Sequence, residues 1–272
     1  MSNLSAQEKP SQSLANDYPL FYYLVTLLVP LLLIYISNYF FGYKKNQRIS
    51  ELCFSKLKPQ LESHFQNIGE NGQSKKESCS LYKLYATGKS NCGYILIAVE
   101  MIKRKDLLSV VVSKLRNKGD RITIEVPIRT TASLPLILAV VKQTDVQKTK
   151  RNYSDLGSFA NKVKVKGLSK NLVCLAESQE LASRCMTDSI VKRISELSSS
   201  VESIHITDQV VIRPEFCLTL RCAFSLDPKA TLNVPKMLSV VLEIVDHCSR
   251  LEVPYPKKTL IQKSRNAISS KE

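Results

Sequence analysis

The one stretch that looks like a phosphate cradle is Thr87-Gly88-Lys89-Ser90. A phosphate-binding loop needs G-x-x-x-x-G-K-[ST], because the first glycine lets the backbone curl round the phosphates that the lysine reaches. Here that first place is Lys83, inside a strand pattern, and Asn91-Cys92-Gly93 follows where a helix should start. Gly88 to Gly93 therefore reads as a hairpin connection. No G-x-G-x-x-G, G-x-S-x-G or H-E-x-x-H occurs, and eight glycines are few for a dinucleotide fold. The eight cysteines never form C-x-x-C, and several sit inside apolar runs, so they read as small buried hydrophobes of a reducing compartment. His64, His205 and His247 lie far apart in sequence, which argues against a zinc site. These residue types point to no catalytic residue, no cofactor and no metal.

The charge pattern is more informative. A formal net charge of +15 favours an anionic neighbour, whether lipid head groups, RNA or an acidic protein face. Lys103-Arg104-Lys105 stands at a corner just before a helix. A second run comprises Lys142, Lys148, Lys150, Arg151, Lys162, Lys164, Lys166 and Lys170, opposed by Asp145 and Asp155. A third follows at Lys257, Lys258, Lys263 and Arg265. Lys103, Arg104, Lys105, Lys148, Lys150 and Arg151 are the candidate contacts to that anionic neighbour. No base-reading or stacking residues occur at a recognisable spacing, so RNA would be held by its backbone and shape.

A long apolar run positions these clusters. No charge falls between Asp17 and Lys44, and Tyr18 to Tyr43 as a helix reaches roughly 35–40 Å, enough for a hydrocarbon layer about 30 Å thick. Leu20, Pro30 and Phe41 lie within this span, and Pro30 in the middle is tolerated in a membrane helix. Aromatic residues crowd both ends, as expected of an interfacial belt. Lys44, Lys45 and Arg48 follow, whereas Glu8, Lys9 and Asp17 before it nearly cancel, so the positive-inside bias puts the C-terminal side in the cytosol.

The chain divides into a disordered head at 1–17, the span at 18–43, a juxtamembrane helix and linker at 44–79, a domain at 80–252, and a basic disordered tail at 253–272. In the segment 44–79 a helix starts at Ser50, with Pro59 marking a kink or a later start. Strands are expected at Leu81–Thr87, Tyr94–Ile102, Ile122–Ile128, Leu136–Val141, Leu172–Ala176, Ser203–Thr207 and Phe216–Phe224. Helices are expected after Asp106, from Thr144 to Ala160, from Ser178 to Leu197, and from Pro235 to Cys248. This is an α+β pattern, an antiparallel sheet packed with helices. The order strand, helix, strand, strand, helix occurs twice, which suggests two related halves.

Leu81 to Leu115 (LYKLYATGKSNCGYILIAVEMIKRKDLLSVVVSKL) resembles the cytosolic domain of the coiled-coil-domain-containing protein forty-seven (calumin) family. DRITIEV at Asp120–Val126, VESIHITDQ at Val201–Gln209, and the stretches Leu218–Asp227 and Val234–Arg250 extend the match in order. The resemblance implies a single-span endoplasmic reticulum protein of the PAT complex, with a luminal N-terminus and no catalytic site. It further implies a small multi-span partner resembling Asterix, the ribosome-bound translocon, nascent multi-span membrane proteins as clients, and a link to calcium homeostasis. That family carries a long acidic luminal region and a C-terminal coiled coil. Here 17 residues precede the span and the sequence stops at Glu272, so calcium binding and ribosome docking through those parts are not expected. A reading of another class keeps the same features: a membrane-tethered module that binds anionic lipid or bridges bilayers.

Overall fold

The computed structural model describes residues 19–69, 74–116, 118–130, 135–209, 215–227, 233–251, 259, 261–263 and 265–266. The head at 1–17, Lys257 and Lys258 lie outside the described residues. The apolar run does not stop at its basic flank. Helix α1 (Pro19–His64) is one element of 46 residues, roughly 70 Å long at 1.5 Å per residue. Ser50 does not cap a new helix; it is buried within α1, and its hydroxyl donates to the Gln47 carbonyl at 2.8 Å. The helix also runs through Pro59. Beyond Gly42 it has no glycine and is rich in Lys, Gln, Glu and Leu, good helix formers, which carries it past the apolar run.

Ten strands form a single sheet: β1 (Asn67–Ile68), β2 (Lys75–Lys76), β3 (Leu81–Thr87), β4 (Tyr94–Glu100), β5 (Arg121–Ile128), β6 (Ile137–Lys142), β7 (Asn161–Val163), β8 (Leu172–Ala176), β9 (Val201–Thr207) and β10 (Leu218–Ser225). The order is β1-β3-β4-β5-β10-β9-β6-β8-β7, with β2 also on β3, and every ladder is antiparallel. The alternation of β5 puts Ile122, Ile124 and Val126 on one face, opposite Phe224, Cys222 and Leu220 of β10. Helix α7 (Val234–Ser249) lies on that face and buries Met237, Val241 and Val245; α1 packs against α7, β1 and β3. Across the sheet, over β6 and β8, α3 (Val146–Asn152) and α4 (Ser154–Phe159) cover Ile137, Ala139, Val141 and Leu175 with Val146 and Leu156. The fold is α+β. Six of its eight cysteines serve as core, and burial pushes the Cys53 and Cys92 thiols up to about 11 and Cys174 to about 12, leaving those three unreactive.

Three further expectations change. The helix from Ser178 is two helices, α5 (Gln179–Cys185) and α6 (Asp188–Glu196): Met186 leaves helical geometry and the Thr187 hydroxyl caps the second at the Ile190 amide. The helix from Thr144 also breaks, at an extended Tyr153 whose ring packs on His205 with centroids 4.6 Å apart. The two recurring halves do not share a pairing scheme. In the first, β4 pairs with β5, but β5 does not pair with β6. In the second, β8 does not pair with β9, but β9 pairs with β10. In the stretch after residue 252, Arg265 makes two bonds to Glu177 (2.8 and 2.6 Å) and one to Asp208 (2.7 Å).

His205, only 2% exposed on β9, meets the Asp155 carboxylate of α4 at 2.9 Å. Burial alone would raise Asp155, but bonding to His205, to the Thr207 hydroxyl and to the Leu156 amide outweighs it and holds the carboxyl below the usual range. A carboxyl lowered by folding adds stability above its unfolded value, near 3.9, and that stability fades as pH falls through the folded value. Urea unfolding of the detergent-solubilised chain should therefore weaken below about pH 4. Asp155→Asn should flatten this acid limb; equal slopes for both proteins would contradict the assignment.

Candidate functional site at the membrane junction

From Tyr23 to Phe41 nearly every α1 side chain is exposed, although the residues are apolar. In water that is a costly surface; in a bilayer it is the expected one. A stripe at helical spacing then turns inward: Asn38 half-buried, followed by buried Gly42, Asn46, Ser50, Cys53, Leu57 and Leu61. The upper half of the stripe is polar or small because it meets backbone. Asn38 donates to the Arg104 carbonyl at 3.0 Å, and a β-carbon at Gly42 would collide with that same carbonyl. Asn46 donates to the Cys79 carbonyl at 3.1 Å and the Ile102 carbonyl at 2.9 Å.

Arg104 closes the junction. Its guanidinium donates to Asp120 through both terminal nitrogens, at 2.9 and 2.6 Å, and to the Asn46 side-chain oxygen at 2.7 Å. Asp120 in turn accepts from the Ile102 amide at 2.9 Å. Bidentate geometry and low exposure (side chains 18% for Arg104, 7% for Asp120) make this a specific pair rather than a solvated one. The membrane helix, the β4 end and the β5 start thus meet in one polar knot.

The structure separates the candidate contact residues. Arg104 faces the knot, whereas Lys103 is exposed and Lys105 half-exposed beside it. Lys148 and Arg151 are exposed on α3, and the Lys150 ammonium donates to the Ala160 carbonyl. Lys162, Lys164, Lys166 and Lys170 stand exposed on and after β7. The β7 edge lies eight strand intervals from β1, where α1 docks, or roughly 40 Å along the sheet. Lys44, Lys45 and Arg48 are exposed just past the span; Pro30 and Phe41 are exposed within it, and Leu20 lies in its first turn. Asn38, a polar residue near the end of the apolar run, is a fastener within the chain.

At the other marked positions the polar groups are engaged within the fold. Lys89 is ion-paired to Asp246 of α7 at 2.8 Å, and Asn91 donates to the same carboxylate at 3.1 Å. The Thr87–Ser90 stretch is a hairpin turn pinned to a helix, with Gly88 at a φ of 100°. His247 bonds the Arg184 carbonyl at 2.7 Å. Among the described residues, no three His, Cys, Asp or Glu side chains converge as metal ligands do.

A family model described as PAT complex subunit CCDC47 matches residues 21–272, taking in the span, the knot and the sheet together. The chain belongs to the CCDC47 family. Proteins named PAT complex subunit CCDC47 from Xenopus laevis and Homo sapiens are each 30% identical over 201 residues, covering 69% of this chain and 41% and 42% of theirs. An uncharacterized protein of Arabidopsis thaliana is 25% identical over 221 residues, covering 75% of this chain and 44% of its own. The chain spans about two-fifths of the length of the CCDC47 relatives it matches.

Removing Arg104 would leave the Asp120 carboxylate buried without its main partner, a change that typically costs about 3–5 kcal/mol. Arg104→Met should lower the unfolding free energy of the detergent-solubilised chain by about that much, and Lys103→Met should stay within about 0.5 kcal/mol. Equal effects would contradict the separation of the two cations.

Proposed function

We propose that this chain is a non-enzymatic biogenesis factor of the endoplasmic reticulum membrane. In this reading residues 18–43 cross the bilayer with the N-terminus luminal, and the α+β domain of residues 80–252 stands in the cytosol. It works as the PAT complex subunit of its organism, beside a small multi-span partner resembling Asterix. There it assists insertion and folding of multi-span proteins at the ribosome-bound translocon. The observation that carries the reading is the single helix α1, lipid-suited at one end and core-forming at the other, in a chain of the CCDC47 family. A span continuous with a folded domain suits a scaffold that holds a membrane-embedded partner at a set distance from a cytosolic one.

The exposed cations of the β7 edge support the cytosolic contact. They stand far along the sheet from the edge that α1 occupies, suited to the phosphate backbone of ribosomal RNA. Lys103 and Lys105 sit instead beside the span. Hydrogen-bonding groups on Arg104 are taken by its own domain, so the ribosome-facing set is Lys148, Arg151 and the lysines from 162 to 170.

Purification of the full chain from native membranes in mild detergent should recover a small multi-span protein and translocon subunits. Ribosomes should co-sediment in a salt-sensitive way, less so after charge reversal at Lys148, Arg151, Lys162 and Lys164. Recovery of the chain without membrane-protein partners would overturn the reading. In that event, flotation with acidic liposomes would favour the lipid-binding alternative.

A further inference from the structure

Helix α2 (Leu107–Leu115) is the one α-helix among the described residues of the domain with no buried residue. Its sequence LLSVVVSKL sets Leu108, Val111, Val112 and Leu115 at the spacing of one helical face, a pattern that ordinarily faces a core. Here that face is open: Leu108 is 77% and Leu115 80% exposed, with Val111 and Val112 also exposed. The helix is well built nonetheless. Asp106 caps it, accepting from the Leu108 amide at 3.1 Å and the Ser109 hydroxyl at 2.6 Å. A formed helix with an uncovered apolar face implies a cover that the domain does not supply.

The place of the helix in the fold identifies the cover. Two residues before the Asp106 cap is Arg104, whose carbonyl is bonded by Asn38 and packed against Gly42. Asn38 and Gly42 sit among Tyr39, Phe40, Phe41 and Tyr43, the aromatic end of the apolar run. Helix α2 therefore starts level with the aromatic end of the apolar run, where a bilayer crossed by α1 would have its surface. Its charges suit the same neighbour. Lys103, Lys105, Lys114, Arg116 and Lys118 surround it, and the nearby carboxylates are engaged: Asp106 as the cap, Glu100 with Arg121, and Asp120 with Arg104.

We infer that α2 is an interfacial membrane helix. Leu108, Val111, Val112 and Leu115 sink into the boundary of acyl chains and head groups of the bilayer that α1 crosses, and the flanking cations meet lipid phosphates. The domain then has two footholds, α1 and α2, and two footholds fix its rotation about the span as one cannot. The β7 edge is thereby held in a set direction. The inference rests on α1 crossing the bilayer, and not on the identity of any protein partner.

The chain contains no tryptophan, so a single introduced one is a clean reporter. The full chain is reconstituted into phosphatidylcholine–phosphatidylserine vesicles with or without brominated acyl chains. Three variants are compared: Leu108→Trp on α2, Leu33→Trp in the span, and Leu52→Trp on the exposed cytosolic side of α1. All three positions are exposed, so the fold should tolerate them. Emission from Leu108→Trp should shift to the blue and be lost with brominated lipid, as for Leu33→Trp, while Leu52→Trp stays bright and accessible to iodide. If Leu108→Trp is quenched by iodide and not by brominated lipid while Leu33→Trp is quenched by lipid, the interfacial helix is overturned and the span stands. If Leu108→Trp is shielded from both quenchers, a protein face covers it and the lipid assignment is equally overturned. Loss of lipid quenching at Leu33→Trp would overturn the span itself.

Discussion

A planar guanidinium held between a buried carboxylate and a buried amide fixes how this protein stands at a membrane. Arg104 grips Asp120 with two nitrogens and takes Asn46 with one of them, while its own carbonyl receives Asn38 and leaves no room for a side chain at Gly42. A charge pair of such low exposure is favourable only when each remaining group is satisfied. The Ile102 amide and the Cys79 and Ile102 carbonyls complete that set. Loosening any one member exposes the others, so the angle between span and sheet is fixed by many bonds at once.

The continuity of α1 gives that joint its reach. An apolar helix ending at the bilayer would leave the domain on a tether. Here its second half supplies Cys53, Leu57 and Leu61 to the main core beneath α7, so the anchor cannot move without disturbing the sheet. The sheet runs from the β1 edge beside α1 to the basic β7 edge, with antiparallel pairing throughout. Position and direction are thus passed from the exposed apolar half of α1 to the far edge of the sheet by packing and hydrogen bonds.

Much of this was legible in the residues. Lack of charge and paired aromatic belts marked the span, and strict alternation at Ile122–Ile128 and Leu218–Phe224 marked the strands that became the sheet centre. Asp106 and Pro235 fell where helix starts were expected. What escaped depends on distant partners. Asn38, Gly42, Asn46 and Ser50 are not apolar, so their helical stripe gave no hydrophobic signal, and its purpose is visible only once the Arg104 corner is brought against it. Arg104 between two lysines looked like one more surface cation; nothing local shows that Asp120 waits 16 residues on. The breaks at Tyr153 and Met186 interrupt patterns that continue unbroken in sequence, because tertiary contacts at His205 and in the core outweigh local propensity. Helix α2 is the reverse case: an amphipathic pattern that ordinarily predicts a core position has no core to face.

Hydrogen exchange of the full chain in a lipid bilayer tests the rigid coupling of membrane helix and domain most directly. Amides from Asn46 to Leu57 on α1 should exchange as slowly as the central ladder of β5 and β10, since opening one requires opening the other. Rapid exchange of that segment, with the sheet still protected, would mean a hinge between bilayer and domain and would contradict a single rigid support.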